Sequence, residues 1–141
     1  MKIFVDTSAF IALNDCSDAQ HLRARKFYES LAAADRLFTS NYVVDETITR
    51  LRYTIGHSAA VDFAETILKS RLCSILYVDS DVERSALAFL KKYKDKKLSF
   101  TDCTTMALTS ELGLDAVYAF DDDFAKAGFS MVPVRGGAEE S

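Results

Sequence analysis

Cysteine is scarce in this chain and badly spaced for either of its structural uses. Cys16, Cys73 and Cys103 are the only three in 141 residues. Their number is odd and no CxxC pair occurs, which argues against a disulfide frame or a cysteine zinc site and for reduced thiols in a cytoplasmic compartment. Histidine is scarcer: His21 and His57 stand isolated, too few and too far apart to suggest an imidazole metal centre. An excess of positive charge is also missing. Seventeen basic against 21 acidic residues leave a net charge of −4, with pI about 5.1, so bulk charge cannot hold a nucleic acid. Any such contact has to rest on a local basic patch or on metal. Finally, no apolar run approaches the ~20 residues that span a bilayer. Asp6 interrupts the N-terminal apolar stretch, and no small-residue cleavage pattern follows, so neither a membrane segment nor a signal peptide is expected.

What the chain does have is apolar content, 49% of residues, enough for one domain around one core. Ile3-Phe4-Val5 is short and β-prone and reads as a buried strand. Helical patterns follow over Ala9–Leu13 and from about Ser17 to Ala34, with Leu22, Phe27 and Leu31 on the apolar face. Leu37-Phe38-Thr39 is a second strand, and Ser40 caps a helix with Val44, Ile48, Leu51 and Ile55 in register. Gly56 suits a left-handed position past its end. A helix from Ser58 to Ser70, with Val61, Ala64, Ile67 and Leu68 inward, completes a helical hairpin. A third strand spans residues 74–78. Ser80 with Glu83 matches a reciprocal cap for a helix lined by Val82, Ala86, Phe89, Leu90 and Tyr93, and Ser99 with Asp102 repeats that cap for a helix ending at Gly113. Strands over 116–119 and 130–132 flank a short helix ending at Gly128. Strand–helix alternation predicts a parallel sheet of four to five strands with helices on both faces, over residues 1–134, and a frayed tail over 135–141.

Four acids stand where strands meet helices or just inside a helix start: Asp6, Glu46, Asp102 and Asp121. In parallel sheets ligands bind beyond the carboxyl ends of strands where strand order reverses, and Asp6 and Asp121 should project there. Two carboxylates about 4 Å apart repel by roughly 4 kcal/mol at an effective dielectric near 20. Oxygen-only ligands suit Mg²⁺ or Mn²⁺ as the relief. Each acid also has a plainer reading. Asp102 and Asp121 can cap helices, and Glu46 lies four before Arg50, a common surface pair. Asp6 has the weakest plain reading, because an acid ending a buried strand is costly without a partner.

The segments Val5-Asp6-Thr7-Ser8, residues 39–47 (TSNYVVDET), Leu98-Ser99-Phe100-Thr101-Asp102, and Phe120-Asp121-Asp122-Asp123-Phe124 with Ala127-Gly128-Phe129 resemble, together and in this order, the PIN-domain ribonucleases, nearest to VapC-type toxins of toxin–antitoxin pairs. The resemblance runs from the first strand to about Val134. It implies an α/β/α sandwich, a carboxylate pocket for one or two Mg²⁺ or Mn²⁺ ions, and RNA cleavage by a metal-activated water. It makes Asp6, Glu46, Asp102 and Asp121 the acidic set, with Asp123 a further candidate. Thr7 or Ser8 becomes the hydroxyl that steadies a water or phosphate. Ala119 and Phe120 stand where some relatives carry a Ser or Thr. The resemblance also implies an antitoxin partner at the hairpin around Gly56, and a homodimer.

Such chemistry predicts 5′-phosphate and 3′-hydroxyl ends, since a metal-activated water needs no 2′-hydroxyl. Two rivals differ in class: a metal-dependent phosphatase using Asp6 as nucleophile, though Ser8 stands where that chemistry wants a second acid, and a non-catalytic acidic pocket that only binds. Lys91, Lys92, Lys94, Lys96 and Lys97 around Tyr93 read as a solvated helix end rather than an RNA track. Arg23, Arg25, Lys26, Arg50 and Arg52 are alternative phosphate contacts.

Overall fold

The computed structural model describes residues 1–134. The expected tail over 135–141 lies outside them. Strand β1 (Lys2–Val5) is the centre of the molecule, with Ile3 and Phe4 at 0% exposure and Val5 at 2%. An apolar run without alternation fits a strand covered on both faces, and β1 has parallel neighbours on both edges. Lys2, Ile3 and Phe4 pair with Arg36, Leu37 and Phe38 of β2 (Arg36–Ser40), and Ile3, Phe4 and Val5 with Ala116, Val117 and Tyr118 of β4 (Ala116–Tyr118). Strand β3 (Cys73–Leu76) lies outside β2, and β5 (Met131–Val132) outside β4. The order is β3-β2-β1-β4-β5, all parallel. The chain therefore grows outward on one side of β1, then returns to its other side, and the reversal falls between β1 and β4.

Helices cover both faces. They are α1 (Thr7–Asn14), α2 (His21–Glu29), α3 (Asn41–Thr54), α4 (His57–Lys69), α5 (Ser80–Lys92), α6 (Phe100–Glu111) and α7 (Asp123–Lys126). The alternation of β4 shows the two layers. Ala116 and Tyr118 pack into a core with residues of α1, α3 and α4, while Val117 packs into another with Ala86, Met106 and Phe124. This is the expected α/β/α sandwich, with five strands.

Several local expectations are corrected. The helix expected from Ser17 to Ala34 is only His21–Glu29, because Asp15 and Asp18 side chains accept the backbone N–H groups of Ser17 and Gln20 and hold the chain in turns. Leu22 is 77% exposed, and Ala24 is the buried residue of that helix. On α4 the inward residues are Ala60, Phe63 and Ile67, not Val61 and Leu68. Phe63 packs edge-on against Phe10 at 5.1 Å, and seating that ring sets the helix's rotation. Ile55 and Leu90 likewise face outward more than expected. Gly56 does follow α3 with a positive φ, 145°, its N–H donating to Leu51 O at 3.0 Å, and the same residue also opens α4. Asp79, not Ser80, caps α5 by accepting the Val82 N–H, and Glu83 accepts the Tyr42 hydroxyl instead of completing that cap. The Ser99–Asp102 capping box of α6 forms as read, and Gly113 follows that helix with φ 61°.

Candidate active site

Backbone geometry places Asp6 at the reversal point. Its N–H donates to Tyr118 O at 3.0 Å, which ties the end of β1 to the end of β4. Its side chain caps α1: Oδ2 accepts the Ser8 N–H at 3.1 Å and the Ser8 hydroxyl at 2.7 Å. Ser8 Oγ in turn accepts the Phe120 N–H at 3.0 Å, so one hydroxyl fixes the first acid against the segment that leads to Asp121. The other oxygen, Asp6 Oδ1, is buried with no hydrogen-bond partner among the described residues. A buried carboxylate oxygen left unpaired is the costly case. Burial accordingly pushes the Asp6 carboxyl up to about 7; the Ser8 hydroxyl and N–H oppose this, and the negative charges of Asp102 and Glu46 add to it.

The remaining acids lie within electrostatic reach. Glu46, one and a half turns into α3, accepts the Thr7 hydroxyl on Oε1 at 2.6 Å across 39 residues of chain. Asp102 is the third residue of α6, with Oδ2 bonded to the Ser99 N–H at 3.0 Å. Desolvation raises its pKa most, Ser99 opposes, and Asp121 and Glu46 raise it further. Asp121 accepts the Asp123 N–H on Oδ1 at 3.0 Å. Asp123 itself is raised, by desolvation first and then by the charge of Asp121 and a side-chain hydrogen bond to it. The field of Asp6 thus includes Glu46 and Asp102, and that of Asp102 includes Glu46 and Asp121: the four acids form one cluster. Among the described residues none of the four is in an ion pair. The surface pair with Arg50, the plainer reading of Glu46, does not form among the described residues, and Glu46 bonds to Thr7 instead.

Asp6, Glu46 and Asp102 share one arrangement. Each spends one oxygen on a protein hydrogen bond and leaves the other without one among the described residues. Among the described residues no three His, Cys, Asp or Glu side chains are already set around one point as a metal shell, so the acids form an electrostatic group rather than a closed coordination sphere. Thr7 and Ser8, expected to steady a water or phosphate, are both engaged in orienting acids.

A family sequence profile, described as PIN domain, matches residues 3–130. The chain belongs to the PIN-domain family. Over 130 residues, 92% of this chain and 97% of the relative, it is 39% identical to the 23S rRNA-specific endonuclease VapC20 of Mycobacterium tuberculosis. It is 30% identical over 128 residues to a VapC ribonuclease of Archaeoglobus fulgidus, covering 89% of this chain and 80% of that protein. The crystal structure of the M. tuberculosis protein, described as a Sarcin-Ricin loop cleaving toxin, superposes with a TM-score of 0.86 over 95% of this chain and 99% of that one. A chain of a toxin–antitoxin complex from Klebsiella pneumoniae matches at TM-score 0.65 and 16% identity over 95% of this chain and 99% of that one, a likeness of fold.

The basic residues divide. Lys92, the last residue of α5, and Lys96, just beyond it, lie over the Tyr93 ring at 5.3 and 5.0 Å, and Lys96 also pairs with Asp95. Arg25 pairs with Glu29. Arg23 lies over the Phe120 ring at 5.4 Å. Arg50 lines a hollow that also includes Glu46, Tyr42, Phe100 and Thr101. Reading the sequence missed that hollow. Its aromatic residues stood inside quoted motifs and passed for flanking positions.

Proposed function

We propose that this PIN domain is an endoribonuclease dependent on Mg²⁺ or Mn²⁺, and the toxin of a toxin–antitoxin pair acting in the cytoplasm. The observation that carries the proposal is the unpartnered, buried Oδ1 of Asp6 inside a cluster of like charges. The donors suit such an ion, being oxygen-only, and Asp6, Glu46 and Asp102 each have one oxygen anchored and the second without a hydrogen-bond partner among the described residues. Asp6, Asp102 and Asp121 would hold it, with Asp123 as a further donor. Bound there, the ion supplies an acidified water and positive charge against the phosphate oxygens.

The chain's own residues supply the rest. Ser8 fixes Asp6 and, through Phe120, the approach to Asp121. Thr7 holds Glu46 by Oε1, so that Oε2 is left to take a proton from the attacking water. Water as nucleophile leaves 5′-phosphate and 3′-hydroxyl ends. The 39% identical relative acts on 23S rRNA, so ribosomal RNA is the first substrate to try. An antitoxin and a second copy of the chain would cover the exposed apolar side chains of the α3–α4 hairpin, among them Tyr53, Ile55 and Leu68 at 84, 45 and 63% exposure.

The test is an RNA cleavage assay with Mg²⁺ or Mn²⁺ on the wild type and Asp6→Asn, product ends identified by enzymatic labelling. Metal-dependent cleavage to 5′-phosphate ends, lost in the variant, is expected. Cleavage that survives in Asp6→Asn or in EDTA overturns the metal mechanism. No cleavage by either protein leaves the pocket as a binding module.

A further inference from the structure

The helix starts of α3 and α6 come together beside the acids, and between them lies a hollow of about 620 Å³, within the range of ligand sites (about 300–1,000 Å³). It is continuous with the acid cluster: Glu46 forms part of its wall, and Thr101 precedes Asp102 in the chain. We propose that this hollow receives one unstacked nucleobase of the RNA strand, and that Tyr42, Phe100 and Asn41 determine which base is presented to the acids. The inference rests on the ribonuclease reading above and adds the subsite that selects the substrate.

Charge argues for a base rather than a phosphate inside. Asp45 and Glu46 line the hollow against a single cation, Arg50, so its wall repels a phosphate and tolerates a neutral heterocycle. Arg50 is exposed and makes no ion pair among the described residues. It is the group available to the phosphate next to that base.

The apolar contribution is aromatic. The Tyr42 and Phe100 rings have centroids 6.3 Å apart and planes inclined at 52°. That angle is too wide for a face-to-face sandwich and gives an angled wall, on which a base stacks against one ring and meets the other by its edge. Both rings are half-buried, with surface left to offer. The Tyr42 hydroxyl donates to Glu83 of α5, which holds its ring in place before any ligand arrives. Unstacked RNA bases are ordinarily bound on such rings and read by polar groups at their edges.

Asn41 supplies the edge reader. Its Oδ1 accepts the Val78 N–H at 2.8 Å. A backbone N–H can only donate, so this bond fixes which end of the amide is oxygen. The NH₂ has no protein partner among the described residues and is left as a donor, which favours a base edge presenting an acceptor.

The experiment uses short single-stranded RNAs, each carrying one 4-thiouridine, cross-linked to the wild-type protein by near-ultraviolet light and mapped by mass spectrometry of the adducts. Cleavage kinetics are measured in parallel on Tyr42→Leu, Phe100→Leu, Tyr42→Phe and Asn41→Asp. The leucine substitutions keep apolar volume and remove the π-face. Cross-links are expected on α3 or α6 residues of the hollow. KM should rise about five- to a hundred-fold in the leucine variants, with kcat changed far less, and Tyr42→Phe should recover most of that loss. Asn41→Asp keeps the Val78 bond but replaces a donor with an acceptor, so base preference at one position should change. If the wild type cleaves RNA while the cross-links fall elsewhere and both leucine variants keep the wild-type KM, the subsite is overturned and the nuclease reading stands. If the wild type cleaves no RNA with Mn²⁺, the nuclease reading fails first and takes the subsite with it.

Discussion

Replacing Asp6 by Asn should stabilise the metal-free protein at neutral pH, the opposite of what removing a buried polar contact ordinarily does. In the folded state the carboxyl holds its proton to about pH 7, against 3.8 for a free side chain. Between those values the folded protein binds more protons than the unfolded chain. The Asp6 contribution to stability is therefore fully present below pH about 4, declines as pH rises across the window, and is lost above about 7. The gap corresponds to about 4 kcal/mol, at about 1.4 kcal/mol for every tenfold. With only 4% of the residue exposed, solvent screening removes little of it. An Asn at this position keeps the oxygen that accepts from Ser8 and places an N–H₂ donor where the orphaned Oδ1 sits among carboxylates. Urea denaturation in EDTA at pH 5 and pH 7.5, wild type against variant, reports the titration of Asp6 together with its coupling to Asp102 and Glu46, because carboxylates outside that cluster cancel in the difference. The variant should gain about 2.5 kcal/mol more at pH 7.5 than at pH 5, because about two pK units of the window lie between those values, or of order 10 °C in Tm for a domain of this size. Added Mn²⁺ should then stabilise only the wild type, by about 2.7 kcal/mol at a hundredfold excess over Kd. A variant destabilised equally at both pH values would refute the reasoning, since Asp6 would then be ionised and satisfied in the fold.

Two further outcomes follow from the bonds that hold the acids. Thr7→Val removes the hydroxyl that orients Glu46 while preserving shape at a buried position, so RNA cleavage should lose about tenfold in kcat with KM little changed, as hydrogen bonds to charged groups contribute about 1.5–3 kcal/mol and Glu46 is half-exposed; steady-state kinetics on one RNA checks it. Ser99→Ala removes the hydroxyl that accepts the Asp102 N–H in the capping box of α6 and should cost about 1 kcal/mol, or a few degrees in a thermal melt, while the Ser99 backbone N–H still holds Asp102 Oδ2, so cleavage below the melt should fall little.

How much of this could be read from sequence depended on how local the deciding interaction was. The box between Ser99 and Asp102 is legible because both partners lie within one helical turn. The burial of β1 is legible because its apolar run is unbroken. The start of α2 was misread because propensity and apolar spacing were weighed without the Asp15 and Asp18 side chains that capture backbone N–H groups. The rotation of α4 was misread because Phe63 answers to Phe10, 53 residues earlier. Thr7 with Glu46, Ser8 with Phe120 and Tyr42 with Glu83 span 39, 112 and 41 residues. No periodicity encodes such pairs. The grouping of the acids is legible in part, because Asp6 and Asp121 follow strands and Asp102 lies in a local capping box, whereas Glu46 lies one and a half turns into α3 and the groups that aim the acids come mostly from elsewhere in the chain.

Capping and metal binding, set against each other when the sequence is read, are compatible in the fold. Asp6 caps α1 and Asp102 completes the box of α6, so both carboxylates lie at the positive ends of helices, which favours their ionised forms by about 0.3–1 kcal/mol each. That is far less than burial takes from Asp6, as its raised pKa shows. The helix ends therefore position the acids without neutralising them. A fold that wanted these carboxylates only as caps would satisfy both oxygens or leave the groups in water. Here Asp6 is buried with one oxygen used and one abandoned. A cap explains the first oxygen alone. The second requires a positively charged ligand, or a proton that Asp6 gives up near neutral pH.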